Sequence, residues 1–157
     1  MIRFFNTTNK KVTMSIFKML IILGVPMVLF ASQPVGLVKS VRGKAFERIN
    51  DTKSIPLKAG DKIYEKDTIK TEAGSFIGII LEDNTLISIG SNSEFSIEEY
   101  LFEPKDKKVK FTSNLAKGSL SCMTGLIAKI NPDAMQLKVK SASMGIRGTY
   151  FIVDVNE

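Results

Sequence analysis

The sequence predicts an all-β protein: a single small domain of short antiparallel strands, arranged as a sandwich, a roll or a short β-solenoid, after an N-terminal signal helix. Two observations carry this prediction. Short apolar runs alternate with polar residues at a period of two, which is typical of half-buried strands. Turn-forming residues separate these runs at short intervals. No segment after residue 33 shows a sustained helical stripe, which argues against a βαβ fold.

The clearest predicted hairpin spans residues 75–89. Residues 75–81 and 85–89 are apolar runs rich in β-branched side chains, and the residues between them, 82–84, have the acidic and asparagine composition of a turn. Further strands are predicted at residues 35–41, around Phe95 and Ile97, around Val109 and Phe111, around Leu137 and Val139, and at Tyr150–Val155. Residues 118–130 are also predicted as strand, although Leu126–Ile130 could form one helical turn.

Turns are predicted where glycine, proline, asparagine and aspartate cluster. These positions are Arg42-Gly43, Ala59-Gly60-Asp61, Ala73-Gly74, Gly90-Ser91-Asn92, Lys117-Gly118, Asn131-Pro132-Asp133 and Arg147-Gly148.

The core is expected to be aromatic and aliphatic, because phenylalanine side chains bury large apolar areas. The phenylalanines expected inside are Phe76, Phe95, Phe102, Phe111 and Phe151. The single cysteine, Cys122, cannot form an intrachain disulfide and is expected to be a small buried apolar residue.

The net charge of +6 is concentrated near the N-terminus. Residues 1–32 contain four basic residues and no acidic one, so the remaining chain is close to neutral. Nucleic-acid binding requires a basic patch on the folded part of a protein. The densest group of lysines, residues 105–110, is interrupted by Asp106. We therefore expect no nucleic-acid partner.

Residues 1–32 are predicted to be a secretory signal peptide or an N-terminal membrane anchor. A basic segment precedes the uncharged residues 19–30, and the small residues Ala31 and Ser32 follow. The apolar run is shorter than the roughly 20 residues of a membrane span. A cut after Ala31 would leave Leu29 where a small residue is preferred, so cleavage and retention both stay open. Residues 33–157 are expected to be the exported domain.

Enzymatic and metal chemistry have little support in the sequence. The chain has no histidine and one cysteine, which removes grouped His/Cys metal sites and histidine acid–base catalysis. The serines therefore lack a histidine partner, and nothing marks a lysine as their activator. Asp61, Asp67 and Asp83 do not form the Asp-x-Asp loop of a calcium site. We expect no enzyme activity, no cofactor and no metal.

Five motifs occur in a recognisable order along residues 34–155. They are Gly36-Leu37-Val38 with Val41 and Gly43; Leu57, Gly60-Asp61 and Asp67-Thr68-Ile69 with Thr71; the hairpin around Asp83; Gly118 followed by Leu126; and Ile146-Arg147-Gly148-Thr149-Tyr150-Phe151. No single motif is specific, but together and in this order they resemble the FecR domain family.

The resemblance directs attention to the residues that carry its motifs. We expect structural roles for Gly60, Asp61, Asp67, Thr71, Asp83, Arg147, Gly148 and Thr149. Gly60-Asp61 should form a tight turn, because glycine tolerates positive φ and aspartate accepts hydrogen bonds from nearby backbone amides. Arg147 is expected to be partly buried and to pair with Asp67 or Asp83, holding the last strand against the sheet.

The resemblance implies a binding or signalling protein of the cell envelope. We expect an exported, non-catalytic module, located in the periplasm or cell envelope, that binds an envelope protein or a cell-wall component through strand edges or loops. Membrane contact is expected only through the N-terminal segment, which would anchor the chain in the inner membrane if retained. The alternative is the periplasmic sensing component of a FecR-type sigma-regulator system, acting with a separate membrane protein.

Two departures from the family pattern limit what the resemblance implies. The sigma regulators of the FecR family have a cytoplasmic helical domain, a membrane span and a periplasmic domain in series. Here only 18 residues precede the apolar run. The regulator mechanism is therefore not expected to transfer whole. Family members also tend to continue with further strands beyond the Arg-Gly-Thr motif. This sequence stops at Glu157, either as a short version of the domain or as a truncated one. If those strands are missing, we expect Tyr150–Val155 to present an open strand edge.

Overall fold

The computed structural model describes residues 32–48, 53–140 and 142–155. The predicted signal or anchor segment lies outside these residues except for Ser32, and its boundary with the domain stays a prediction. The strands of the described chain are β1 Gly36–Arg42, β2 Ala45–Arg48, β3 Ser54–Pro56, β4 Lys62–Ile63, β5 Thr68–Thr71, β6 Phe76–Leu81, β7 Leu86–Ile89, β8 Glu94–Glu103, β9 Lys108–Met123, β10 Met135–Val139, β11 Ala142–Gly145 and β12 Tyr150–Val155. One α-helix, α1 Leu126–Ile130, and two 3-10 turns, Pro104–Asp106 and Pro132–Ala134, complete the described elements.

The strands form a curled half-barrel, which confirms the predicted all-β single domain. Two sheets share strand β9. Sheet A has the order β4-β1-β6-β7-β9-β12, and sheet B has the order β3-β2-β5-β8-β9-β10-β11. All described pairings are antiparallel except β9 with β10. The antiparallel pairing argues against a β-solenoid, whose coils stack in parallel. The architecture is a roll and not a sandwich of two separate sheets, because the sheets are continuous through β9.

Strand β9 joins the two sheets through a bend at Gly118. Its first part pairs with β8 and β10 in sheet B, and its last part, from Gly118 to Met123, pairs with β12 in sheet A. Gly118 has φ +85°, a left-handed conformation that side chains rarely adopt. The expected turn at Lys117-Gly118 is wrong, because the glycine bends a continuous strand instead of ending one.

Two further connections between the sheets lie at the same corner, beside Gly118. The β5–β6 and β7–β8 connections meet the Gly118 bend through Thr71 and Ser93, which are both buried. The Thr71 hydroxyl donates to the Gly90 carbonyl at 2.5 Å and accepts from the Ser93 amide at 2.9 Å. The Ser93 hydroxyl oxygen in turn accepts from the Ser119 amide at 3.0 Å. Short polar side chains thus satisfy backbone groups where the ladders are interrupted.

The core lies between the inward faces of the two sheets. Sheet A contributes Ile79, Ile87 and Cys122, and sheet B contributes Phe95, Phe111 and Leu137, all at most 2% exposed. Phe95 and Phe111 confirm the aromatic core, and Phe102 and Phe151 pack against it partly buried. Phe76 was expected in the core, but it begins β6 on the outer face and is 37% exposed. The strand alternation places Ile77, not Phe76, inside.

The strand prediction for residues 118–130 is correct to Met123 and wrong for Leu126–Ile130. There the chain turns into α1, because Gly125 packs directly against the backbone of the β6–β7 turn. A Cβ atom at Gly125 would overlap the Asp83 carbonyl oxygen and lie 2.5 Å from the Thr85 nitrogen. The close approach brings the first amides of α1 to hydrogen-bond acceptors in that turn.

Replacing Gly118 by alanine tests the bend in β9. A Cβ atom there would overlap Ser93, and the residue would keep a positive φ. We expect Gly118→Ala to lower the free energy of unfolding by about 2 kcal/mol or more, measured by urea denaturation. Gly145→Ala is the matched control, because nothing lies within 4 Å of its added Cβ. Equal effects of the two substitutions would contradict the assigned role of Gly118.

Candidate functional site

Asp83 lies at the tip of the β6–β7 hairpin with its carboxylate inside the protein. Its exposed fraction is 0%, as is that of Thr85. The Asp83 Oδ1 atom accepts from the Thr85 amide at 3.1 Å and from the Tyr100 hydroxyl at 3.3 Å. Oδ2 accepts from the Thr85 hydroxyl at 2.7 Å and from the Ile127 amide at 3.2 Å. Four donors thus surround one buried carboxylate, which we call the Asp83 lock.

The Asp83 lock connects parts of the chain that are far apart in sequence. Tyr100 belongs to β8 in sheet B, and Ile127 belongs to the first turn of α1. The Asp83 carbonyl accepts from the Leu126 amide at 2.8 Å, and the Thr85 hydroxyl accepts from the Gly125 amide at 3.0 Å. The hairpin turn therefore supplies acceptors to the free amides at the start of α1.

Burial raises the pKa of Tyr100 well above its usual value, and the negative charge of Asp83 raises it further. The phenol therefore stays protonated and remains a donor at neutral pH. Burial likewise raises the pKa of the Cys122 thiol to about 12, with a smaller contribution from Asp83. Cys122 is 2% exposed and is confirmed as a small buried apolar residue.

Gly60, Asp61 and Asp67 form turns, as expected for the first two. Gly60 has φ +92°, and Asp61 Oδ2 accepts from the Lys58 amide at 2.8 Å. Asp67 Oδ2 accepts from the Tyr64 amide at 2.7 Å, which partly offsets the rise in its pKa caused by burial. The pKa of neighbouring Glu47 is raised by burial and then by the charges of Asp67 and Asp61.

Within the described residues, no three acidic or cysteine side chains group in a way that could hold a metal ion.

The expectation for Arg147 is wrong. Its side chain is 76% exposed, and Nη2 pairs with Asp133 Oδ1 at 2.8 Å rather than with Asp67 or Asp83. Asp133 raises the pKa of the guanidinium, but both groups are in solvent, where an ion pair contributes little stability. The buried residue of this segment is the neighbouring Ile146, which is 7% exposed. Both residues lie in the connection between β11 and β12, so the burial of Ile146 does not extend to Arg147.

The neighbours of Arg147 do attach the last strand to the domain. The Thr124 hydroxyl donates to the Gly148 carbonyl at 2.8 Å, and the Thr124 amide donates to the Thr149 carbonyl at 3.0 Å. The motif therefore acts through its backbone. The predicted motif residues belong to separate hydrogen-bond networks and do not converge on one pocket. Five residues of these networks were not predicted from the sequence: Thr85, Ser93, Tyr100, Thr124 and Gly125. The Asp-x-Thr spacing of residues 83–85 was the one local signal for any of their hydrogen bonds.

The outer face of sheet B is charged and ion-paired. Outward lysines lie beside glutamates of β8 in four pairs: Lys70–Glu94 at 3.0 Å, Lys110–Glu99 at 2.8 Å, Lys138–Glu98 at 2.7 Å and Lys108–Glu103 at 3.9 Å. Because charged side chains are usually exposed on folded proteins, this face is expected to stay in contact with water.

The outer face of sheet A has the opposite character. The strand register aligns one apolar residue from each of five strands, which we call the apolar row: Leu37, Ile80, Leu86, Met123 and Tyr150. A parallel row of small residues lies beside it: Ser40, Gly78, Ser88 and Ser121. Leu37, Met123 and Tyr150 are 46%, 51% and 57% exposed. Neither row contains a charged residue, but the register also places the exposed Lys62 of β4 opposite Leu37, at the end of the apolar row. The five strands of the row span about 19 Å at 4.8 Å spacing.

The family model described as FecR protein matches residues 67–157, which is more than half of the chain. The match includes Asp67, Thr71, Asp83 and the Arg-Gly-Thr motif, whereas the Gly60-Asp61 turn precedes it. No curated protein and no solved structure shows significant similarity to the chain.

Removing the Asp83 carboxylate should destabilise the domain. We expect Asp83→Ala to lower the free energy of unfolding by about 3 kcal/mol or more, because the buried Thr85, Tyr100 and Ile127 donors lose their acceptor. Urea denaturation measures the loss, and Asp83→Asn should lose less because it keeps one oxygen acceptor.

Asp61→Ala is the matched control for this experiment, because Asp61 is also a turn aspartate but is not buried. Its loss should be clearly smaller than that of Asp83→Ala. If the Asp61 and Asp83 substitutions destabilise the domain equally, the special role of the Asp83 carboxylate is refuted.

Proposed function

The chain belongs to the FecR family, and we propose on that basis that it is an exported, non-catalytic binding module of the cell envelope. FecR is a regulatory and signalling family, so membership associates the chain with FecR-type signalling. The observation that supports the binding role most directly is the apolar row on the outer face of sheet A. We propose this face as the contact surface for a partner.

The chemistry of the face favours a protein partner with an apolar, uncharged surface. Leucine, isoleucine and methionine pack well against other aliphatic side chains, and methionine adapts to irregular surfaces. A polysaccharide of the cell wall would be expected to stack on exposed aromatic rings, but Tyr150 is the row's one aromatic residue. The small side chains of the adjacent row would let a partner approach the backbone of the sheet closely.

Export is part of this proposal and is supported by the sequence of residues 1–32. Their basic start, apolar middle and small end match a secretory signal or an anchor. No helix in the described part of the chain has the length and apolarity needed to cross a membrane. The proposal locates the domain in the periplasm or cell envelope, with either cleavage or retention of the segment.

Family membership also favours a second candidate, the sensing component of a FecR-type sigma-regulator system. In that case the partner would be a separate membrane protein that passes the signal across the membrane. The surface could be the same, so the two candidates differ in the identity of the partner. A sigma regulator or an outer-membrane receptor recovered with the chain would select the signalling role.

A charge-introduction experiment tests the proposed surface. The tagged full chain is cross-linked in cells, isolated from the envelope fraction, and its bound proteins are identified by mass spectrometry. Leu37→Glu combined with Met123→Glu should remove the specific partner, because both substitutions place charge in the apolar row. Folding of the variant is checked by its thermal midpoint.

Ile55→Glu is the control, because Ile55 is 41% exposed on β3, outside the apolar row. It should leave partner recovery unchanged. The proposal fails if the chain stays in the cytoplasm, or if the double variant and the control recover the same partner equally. If the unmodified chain recovers no protein above the background of an untagged strain, the choice of a protein partner is overturned.

A further inference from the structure

Strand β12 is an edge of sheet A. Within the described residues it pairs with β9 along its whole length, from Tyr150 with Met123 to Val155 with Gly118, and with no other strand. The register shows no bulge. Along its other side, β12 therefore offers a regular row of backbone amides and carbonyls that lack a strand partner.

The other edge strands of the described sheets have features that hinder pairing with a further strand, and β12 lacks these features. Edge strand β3 has three residues and ends in Pro56, which has no amide to donate. Edge strand β4 has two residues, one of them Lys62. Edge strand β11 has four small or flexible residues and no β-branched one. By contrast, β12 has six residues, five of them β-branched or aromatic, and contains no lysine or proline.

The side chains of β12 are exposed in a pattern that suits strand pairing. Ile152 is 66% exposed and Tyr150 57% exposed on the outer face. Phe151, Val153 and Val155 point inward and are only partly buried, because no further strand of the described residues lies beside β12 to cover them. A strand added beside β12 would cover side chains on both faces of the sheet as well as the free backbone groups.

A second copy of β12 fits this edge without repulsion. In a two-fold antiparallel pair, opposite residues share a face, so a residue pairs with another an even number of positions away. Centring the pair on Ile152 places Ile152 opposite Ile152, Phe151 opposite Val153, and Tyr150 opposite Asp154. The charged residue Asp154 then meets a phenol hydroxyl that can donate to it, and Phe151 meets a β-branched residue, a favourable cross-strand pair.

We propose that two copies of this chain associate through antiparallel pairing of their β12 strands, centred on Ile152, into a continuous sheet. The two-fold axis is perpendicular to the sheet, so the outer faces of both copies point to the same side. The apolar rows of the two copies then lie on one shared surface. The pairing uses the free edge of β12, and Tyr150 is the one residue that it shares with the apolar row. The substitutions that test the envelope partner, at Leu37 and Met123, lie outside β12, so the two proposals can fail separately.

Cross-linking at the two-fold axis tests the pairing and its register. The full chain carrying Ile152→Cys is treated with a mild oxidant and analysed on a non-reducing gel. Opposite residues of an antiparallel pair lie about 4.5–5.5 Å apart between Cα atoms, within the range that a disulfide spans. We expect a covalent dimer to form readily. Cys122 can stay in place because it is 2% exposed.

Ile55→Cys provides the control for random collision, because Ile55 is 41% exposed on a different edge. It should remain monomeric under the same conditions. A monomeric Ile152→Cys protein, or equal cross-linking of the two variants, would overturn the proposal.

A substitution that opposes pairing gives a second, non-covalent measurement. Ile152→Lys places two like charges opposite each other at the axis and should raise the dimer Kd by about tenfold or more in sedimentation analysis. Its thermal midpoint, measured well below the dimer Kd, should match that of the unmodified chain because Ile152 is exposed. An unchanged Kd, or an unmodified chain that is monomeric at every concentration reached, would refute the pairing.

Discussion

The buried carboxylate of Asp83 is the interaction on which the rest of the domain depends. An ionised group inside a protein is costly unless hydrogen bonds replace its lost water. Asp83 receives four, from Thr85, Tyr100 and Ile127. Because these residues come from the hairpin turn, from sheet B and from α1, satisfying one side chain fixes the relative positions of three parts of the chain. Asp83 therefore has a structural role in the described residues.

The consequences of this arrangement reach the surface. The Asp83 lock and the corner at Gly118 hold the two sheets in a roll, so each sheet has one face in the core and one outside. The outer faces then differ in chemistry: sheet B carries ion pairs, and sheet A carries the apolar row and β12 at its edge. The apolar row and the edge at β12 are the two features of this FecR-family domain on which the proposed associations rest.

Local patterns in the sequence predicted most of the strands but not what locks them together. The hairpin around Asp83 was identifiable because two β-branched runs flank a turn. The sequence did not indicate that the Asp83 carboxylate points inward to Tyr100 and Ile127, because these partners lie 17 and 44 residues away along the chain. Arg147 was misplaced for a related reason: its apolar neighbour Ile146 enters the core, but both residues lie in the connection between β11 and β12, where no strand period fixes which side chain is buried. Gly118 looked like a turn because positive φ serves both turns and bends within strands.

Hydrogen exchange at single amides tests the role of the Asp83 lock most directly, because it reports on the proposed bonds without altering them. The Thr85 and Ile127 amides donate to the carboxylate. If the lock organises the domain, both should exchange only with global unfolding, as slowly as the amides in the centre of β7. Exchange of either amide at the rate of an exposed loop would show that the carboxylate does not hold them, and would contradict the account.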